Sequence, residues 1–411
     1  MKKMMLSLAA VPVIMGSMGV VANAAEGVNI FDDVQFSGEI RPRYEMADVK
    51  DNGLDTANAY TARTRLAVSA TLLGVEGLNA KVGVTSVNNF GYDNYAPENP
   101  DYDLILDPQQ ALLSEGYITY TAADTTLLGG RSFVNLDDQR FIGTVGWRQM
   151  ERSYDAAIAI NKSVKGLTLL GAWVYGYQGV NANPTTDTGS VLLNVNYQAA
   201  PALTISLFDY MLADIHDTYG VRVSGLVPVG DVKLDYAASY AIQRDATLDY
   251  HLDESPTIDA SYYEVALGAN ISGIIVGAEY EVLGDAQGDS VKGFTTPLAT
   301  LHKFQGWADV FLGRTASSNN DGLADANVKL GYAAPGLGKV LGIYHKFDAL
   351  TGTDKDLGSE IDVLYANAVP GVNNLAFLAK AAFYTKGDTG IGSDYDVNKV
   401  WAQLDYKFST K

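Results

Sequence analysis

Apolar and polar residues alternate along most of this chain in short stretches. Near the N-terminus, VQFSGEIRPRYEM places Phe36 and Ile40 on one face and Glu39 and Arg41 on the other. Successive side chains of a β-strand point to opposite faces, so a period of two predicts strands. Pro42 lies within this stretch, and we expect a bulge or local bend there because proline cannot donate a ladder hydrogen bond.

The segments between these stretches alternate between short and long. Tight turns are predicted at GVEG, KSVKG, AAPA, VPVGD, NISG, APGLG and PGVNN, with longer polar loops between them. The count is 18 strands between Val34 and Phe408, after a short lead from Ala25 to Asp32. An even number puts both termini on one side, the periplasmic side, and the long loops outside. We predict a loop at Phe294–Phe311, the segment most open to the alternative of a further strand.

Composition narrows the class of protein. The 411 residues are 47% hydrophobic, with 25 Tyr, 41 Gly and no Cys, so no disulfide framework is expected. After the first 24 residues, no segment approaches the roughly 18 apolar residues that a membrane-spanning helix needs. A sheet in lipid must close, because lipid cannot satisfy an open edge. We therefore predict an all-β fold, a closed transmembrane antiparallel β-barrel. A soluble sandwich would need several domains with linkers, and we find no linker composition.

The N-terminus predicts export. Lys2 and Lys3 precede an apolar stretch from Met4 to Val21, and ANA then precedes Ala25. This pattern is typical of a secretory signal peptide. We expect residues 1–24 to be removed, which takes the net charge from −19 to −21, and residues 25–411 to form one outer-membrane domain.

Two blocks of the sequence resemble a known family. GGRSFVNLDDQRFIGTVGWRQMERSYDA, from Gly129, resembles the third-loop region of Gram-negative outer-membrane porins of the alginate-export-like or Opr type. FTTPLATLHKFQGWADVF, from Phe294, resembles the seventh loop of the same family. The resemblance implies an 18-stranded barrel whose third loop folds into the lumen and narrows it. It assigns no catalytic residue.

Arginines gather on the predicted lumen face of the first strands. Arg41 and Arg43 lie on the first strand, and Arg63 and Arg65 lie on the second. Antiparallel pairing brings the four to similar heights, and Lys81 on the third strand extends the group. Like charges on neighbouring strands destabilise a sheet unless something opposes them.

Acids are available to oppose these arginines. Glu39 and Glu45 lie on the same wall, and Asp137 and Asp138 would face it if the third loop folds inward. Such an arrangement sets up a transverse field that orients solutes, and arginine binds carboxylates through two parallel hydrogen bonds. The alternative left open is that the arginines only hold the loop in place.

The sequence thus predicts a porin for passive diffusion of small hydrophilic solutes, with carboxylate-bearing anions favoured. Alternatives are an alginate-like polysaccharide export channel and a non-transport adhesin or structural barrel. Acids on the later strands, such as Glu279 and Glu281, weigh against the polysaccharide. The predicted pore-lining and constriction residues are Arg41, Arg43, Arg63, Arg65, Lys81, Arg131, Asp137, Asp138, Arg140, Arg148 and Arg152.

Other chemistry is weakly indicated. The four histidines match no metal-ligand spacing, and no cofactor, metal or catalytic residue is predicted. The second loop carries five acids, which we interpret as a solvated loop bridged by divalent ions to lipopolysaccharide rather than as a calcium site. The net negative charge disfavours nucleic acid. Expected partners are outer-membrane lipid, lipopolysaccharide, small solutes and the barrel-assembly machinery, which would read the last strand ending at Phe408; a monomer and a trimer both remain open.

Overall fold

The chain forms one closed barrel of 18 antiparallel strands. A computed structural model describes residues 29–250, 257–290, 292–317, 319–353, 355–388 and 393–410. The predicted signal peptide, residues 1–24, lies outside the described residues. Each strand pairs with its neighbours in sequence, and β1 also pairs with β18, which closes the sheet. The predicted strand number is confirmed.

The strands are 8 to 19 residues long. Their bounds are β1 Phe31–Val49, β2 Ala57–Leu72, β3 Leu78–Asn88, β4 Gln110–Ala122, β5 Thr125–Ser132, β6 Ser153–Asn161, β7 Leu167–Gln178, β8 Thr186–Ala200, β9 Leu203–Leu212, β10 His216–Val229, β11 Val232–Arg244, β12 Asp259–Ile271, β13 Ile274–Leu283, β14 Leu323–Ala334, β15 Gly338–Asp348, β16 Asp356–Ala368, β17 Leu375–Thr385 and β18 Val397–Ser409.

The connections follow the predicted alternation of tight turns and longer loops. We number the long loops L1 to L9; L2 covers residues 89–109, L3 133–152 and L7 284–322. The Phe294–Phe311 segment lies in L7 and contains one short 3-10 turn, Leu301–Lys303, while helix α1, Leu312–Ser317, follows it. The described part of this segment holds no strand, so its assignment as a loop is confirmed.

Two details at the N-terminal end differ from the sequence expectation. Strand β1 already begins at Phe31, so Asp32 belongs to the barrel and not to a lead. No bulge occurs at Pro42: its register with β2 is continuous, and the register shift in β1 falls between Asp32 and Gln35. On the β18 side, the register is the same before and after Pro42, although the pairing between Ile40 and Arg43 is interrupted. The strand therefore tolerates the missing N–H by losing ladder bonds and not by bending.

The outer wall is apolar. Large hydrophobic side chains such as Val82, Leu207, Leu267 and Leu330 point outward and are exposed. A closed barrel with such a band is built for a lipid bilayer, because no strand edge is left unpaired. No helix in the described part of the chain has the length and apolar character to cross a membrane.

The inner wall is not uniformly polar. On β6 to β9 the inward side chains at mid-height are apolar, among them Ile158, Val174, Leu192 and Phe208, and they are buried. They are buried because L3 packs directly on them. The charged side chains of the inner wall lie mainly on β1 to β4 and β10 to β18.

Candidate functional site: a plugged and charged lumen

L3 and L7 dock on each other inside the barrel. The N–H of Gly143 in L3 donates to the carbonyl of Leu298 at 2.9 Å, and the N–H of Thr300 donates to the carbonyl of Gln139 at 3.0 Å. A Cβ on Gly143 would lie 2.2 Å from the hydroxyl of Thr300, so only glycine permits this approach. We call the two docked loops the plug.

One side of the plug is anchored by apolar contacts. The ring of Phe141 in L3 packs against Phe208 on β9 and Tyr262 on β12, with ring centroids 5.0 and 5.3 Å apart. Val134, Leu136 and Ile142 join the same buried cluster, which also contains Phe294 of L7. This explains why a loop rich in charges also carries large apolar groups.

The other side of the plug is anchored to the arginines of β1 and β2. Arg41 donates to the carbonyl of Gly146 at 3.0 Å, and Arg43 donates to the carbonyl of Trp147. The predicted height match is confirmed, since Arg41 and Arg63 face each other in the ladder. Glu39 lies between the guanidinium groups of Arg41 and Arg63. Its carboxylate oxygen Oε1 is 2.8 Å from a guanidinium nitrogen of Arg41 and also binds Arg63. The carboxylate offsets the repulsion expected between paired arginines.

The loop acid that meets these arginines is not one of those predicted. Glu151 binds Arg63 at 2.9 Å and Arg65 at 3.0 Å. Asp137 and Asp138, expected on this wall, lie across the lumen: Asp137 accepts from Asn194 at 2.8 Å, and Asp138 pairs with Arg222 at 3.1 Å. L3 crosses the barrel, so its first half reaches the wall opposite Arg41, and only its second half returns.

Glu151 is held ionised by its position. Burial alone would raise the pKa of this carboxyl, but Arg65 and Arg63 outweigh burial and lower it. The charge on Glu151 is therefore part of the docking of L3 on β2.

The remaining predicted arginines are also paired. Arg148 in L3 binds Glu45 at 3.0 Å and Asp309 in L7 at 2.7 Å. Arg140 in L3 binds Glu281 on β13, and Arg131 binds Asp155 through two contacts of 2.7 Å. Arg152 donates to three backbone carbonyls of L3 and L7.

L2 is less solvated than the sequence indicated. Asp103 and Asp107 are buried. Asp103 accepts from the N–H of Val49 at 2.9 Å, and Asp107 accepts from the N–H of Gln149 at 2.7 Å and from Arg43 at 3.3 Å. These two acids brace β1 and the plug from above, so they are not free to bridge divalent ions.

Solvent access separates the basic residues into two groups. The side chains of Arg43 and Arg63 are 0% and 1% exposed, whereas those of Arg65 and Lys81 are 16% and 29% exposed. Arg65 and Lys81 line a depression of about 490 Å³ with Phe133 and two acids, Glu39 and Glu115, and Glu115 binds Lys81 at 2.9 Å. A second depression, of about 390 Å³, lies along β10 to β14 with Arg222, Lys303 and several acids. The side chain of Arg131 is also 18% exposed but lies outside this depression, so among the predicted basic residues Arg65 and Lys81 are those that line it.

L7 supplies a buried network that the sequence did not predict. His302 lies 2.8 Å from Asp309 through Nδ1 and 2.8 Å from the ammonium of Lys380 through Nε2. Burial lowers the pKa of His302 well below its ordinary range, and Lys380 adds to this effect. The ring is therefore neutral, with Nδ1–H donating to Asp309 and Nε2 accepting from Lys380. Lys380 also lies over the rings of Trp307 and Trp147, at 3.7 and 4.1 Å. In the sequence, this network was indicated only by the segment Phe294–Phe311, which resembles the seventh loop of the porin family.

No group of three or more His, Asp or Glu residues in the described ranges is arranged to hold a metal ion.

The fold has clear counterparts among solved structures. OccK9 (OpdG) of Pseudomonas aeruginosa superposes with a TM-score of 0.74 at 17% identity, covering 94% of this chain and all of that one. OccAB2 of Acinetobacter baumannii gives 0.74 at 14% identity, over 94% of this chain and all of that one. OccK8 (OprE) of P. aeruginosa gives 0.71 at 15% identity, over 93% and 100%.

These neighbours are Occ/Opr outer-membrane porins. At such identities the likeness establishes the fold of this chain. No protein-family model and no curated protein matches the sequence.

Proposed function

We propose that this chain is an outer-membrane channel for passive diffusion of small hydrophilic solutes and that it favours anions carrying a carboxylate. The observation that carries the proposal is the lumen itself. A closed barrel encloses a charged interior, and two inward loops narrow it. The solute gradient would drive transport, and the protein would supply the water-filled path.

The anionic preference rests on Arg65 and Lys81. Both line the depression beside L3 and keep part of their side chains in solvent. The guanidinium carbon of Arg65 lies 4.7 Å from the centroid of the Phe133 ring, and Glu151 binds the same guanidinium at 3.0 Å. A planar, oriented guanidinium binds a carboxylate through two parallel hydrogen bonds. The more deeply buried arginines hold L3, so they shape this site without meeting the solute.

The overall negative charge does not decide selectivity. At ~0.15 M salt the Debye length is ~8 Å, so distant charges on the external loops are screened before they act inside the lumen. Charges lining the narrow region therefore dominate the field that a solute meets there.

Liposome swelling tests this function. We expect vesicles containing the purified protein to take up small mono- and dicarboxylates faster than neutral sugars of equal size. The double substitution Arg65→Gln with Lys81→Gln should remove that difference while leaving neutral uptake unchanged. Equal uptake of both solute classes by the wild type would refute the preference, and no uptake of either would refute the channel.

The alginate-like export alternative makes a different prediction. A polyuronate would need a continuous basic path, whereas Asp235, Glu264 and Glu279 of β11 to β13 line the second depression of the lumen. Oligouronates should therefore pass far more slowly than single carboxylates. Comparable rates for both would favour export of a polysaccharide.

The remaining partners follow from this assignment. We propose that the exported chain is inserted by the barrel-assembly machinery through β18 and contacts outer-membrane lipid and lipopolysaccharide along its apolar wall. Phe408 pairs with Gly38 across the closing seam, so replacing Phe408 should impair closure as well as recognition.

A further inference from the structure

L7 is moulded onto two carboxyl groups of β16. Glu360 and Asp362 lie two residues apart on the lumen face and are buried beneath L7. The N–H of Ala308 donates to Glu360 Oε1 at 2.7 Å, and the N–H of Trp307 donates to Asp362 Oδ2 at 3.2 Å. Gly306 has a φ of +81°, and a Cβ there would lie 2.5 Å from Glu360 Oε2. The L7 backbone therefore fits these two carboxyl groups closely.

Each carboxyl group keeps one oxygen without a donor. Glu360 Oε2 and Asp362 Oδ1 are buried and have no hydrogen-bond partner in the described structure. The neighbouring L7 amides of Trp307 and Ala308 hold the two carboxyl groups side by side. Ionised carboxylates can only accept hydrogen bonds, so the two groups could bond to each other only if one of them carried a proton. Like charges this close, out of water, cannot both persist.

The surrounding charges also indicate that these carboxyl groups lack one positive charge. Asp325, Glu360 and Asp362 face Lys380 and a His345 that lies 2.9 Å from Asp325 and 3.5 Å from Asp362. Even with His345 charged, three carboxylates oppose two cations. The other titratable groups packed here do not supply the missing charge: His302 is neutral, Tyr384 donates to the carbonyl of Leu357, and Asp309 is already matched by Arg148 and Lys399.

We propose that Glu360 and Asp362 share one proton and that this proton locks L7 in the lumen, so that alkaline pH releases the plug. A metal ion could supply the same charge, but the described acids and histidines are not arranged as a metal site. Loss of the proton would leave two adjacent carboxylates under L7. Their repulsion would drive water in and break the two N–H contacts that hold Trp307 and Ala308. The electrical consequence of this lock, though not the lock itself, rests on the proposed channel function.

Infrared spectroscopy reads the proton without reference to conduction. We expect the wild type, folded in detergent, to show a protonated-carboxyl band at neutral pH that is lost as the pH is raised. Glu360→Gln and Asp362→Asn should each lack that band, because an amide replaces the shared proton by a permanent donor. Asp259→Asn, at an exposed acid outside the lumen that pairs with Arg244, should keep it. Retention of the full band in both pair variants would overturn the proposal, as would a wild type whose band does not change with pH.

Single-channel recording then tests the lock. The wild-type conductance should rise, at least twofold, over the pH range in which the band disappears, and in Glu360→Gln it should stay at the low value. A step that persists unchanged in Glu360→Gln would overturn the lock. A pH-dependent band in a protein that passes no current would leave the shared proton standing and refute the channel. Folding of the pair variants is judged by heat-modifiable gel mobility. If neither variant folds, the wild type alone is tested: loss of the infrared band and the rise in conductance should occur over the same pH range. A difference between the two pH ranges would contradict the proposal.

Discussion

At the scale of single residues, the lumen arginines differ in what surrounds them and not in their sequence pattern. Arg63 and Arg65 are neighbours on one face of β2 and both approach Glu39 and Glu151, yet Arg63 is fully buried between them and Arg65 lies over Phe133 at the edge of a depression. The alternation of β2 predicted that both point inward. It could not show which would be covered, because the covering residues come from L3.

This difference predicts that replacing arginine by glutamine has opposite consequences at the two positions. Arg63→Gln removes the fully buried cation that Glu39 and Glu151 share and leaves them to Arg41 and Arg65, so it should destabilise the docked loop by about 1.5–3 kcal/mol. Arg65→Gln should cost less than ~1 kcal/mol, as expected for a partly exposed ion pair, but should shift the reversal potential toward cations. Thermal unfolding, monitored by gel mobility, measures the loss of stability. Channel recordings in a salt gradient measure the reversal potential. Equal stability loss in the two variants would contradict the division.

Glu151 adds a dependence on acid pH. Its pKa is lowered in the folded protein, so the stabilisation is present above the ordinary carboxyl pKa of about 4.3 and is lost as the pH falls through the lower folded value. Protease cleavage within L3 should therefore increase in that acidic range. Glu151→Gln should be more readily cleaved than the wild type at neutral pH and should lack this part of the change. An acid response identical in the two proteins would rule out Glu151 as its source.

At the scale of elements, L3 and L7 behave as one body with two kinds of anchor. Apolar contacts hold it to β8, β9 and β12, and ion pairs hold it to β1, β2 and β13. The strands were predictable because the alternation of apolar and polar residues is a local property of each stretch of sequence. The plug was not, because it depends on which distant residues L3 meets after crossing the lumen. Asp137 and Asp138 show this, since they were expected to contact the arginines of β1 and β2 but bind Asn194 and Arg222 on the far side of the lumen.

A pair of glycines tests the docking of the two loops. Gly143→Ala should force L3 and L7 apart, at a cost of about 1–3 kcal/mol, because the new methyl group would overlap Thr300. Gly146→Ala is the matched control, since its Cβ would find ordinary space 3.5 Å from Glu151. Hydrogen exchange at the backbone amides of positions 143 and 300 measures whether the contact between the two loops is kept. Unchanged protection in Gly143→Ala would show that the loops do not depend on this contact.

Removing the middle of L3 tests whether it narrows the channel. Deletion of Leu136 to Gly146 takes away the segment that crosses the lumen while leaving β5 and β6 intact. Single-channel conductance should rise severalfold in a deletion protein that retains heat-modifiable mobility. Unchanged conductance in such a protein would remove L3 from the conduction path.

At the scale of the whole molecule, closure explains most of what was predictable. An exported chain without cysteine, with eighteen alternating stretches and alternating turn lengths, has few folds open to it, and the pairing of β1 with β18 completes the one expected. The interior was less predictable, because the same closed wall can surround an open pore or a packed plug. Here it surrounds a plug with open depressions on two walls, and conduction through them is the property that a measurement must establish.

Single-channel recording of the purified wild type in a salt gradient tests the central claim most directly. The account predicts discrete current steps with a reversal potential on the anion-selective side, which moves toward the cation side when Arg65 and Lys81 are both replaced by Gln. A folded protein that passes no current would contradict the channel and favour an adhesin or structural barrel. Strong cation selectivity that the double substitution does not move would contradict the anionic path.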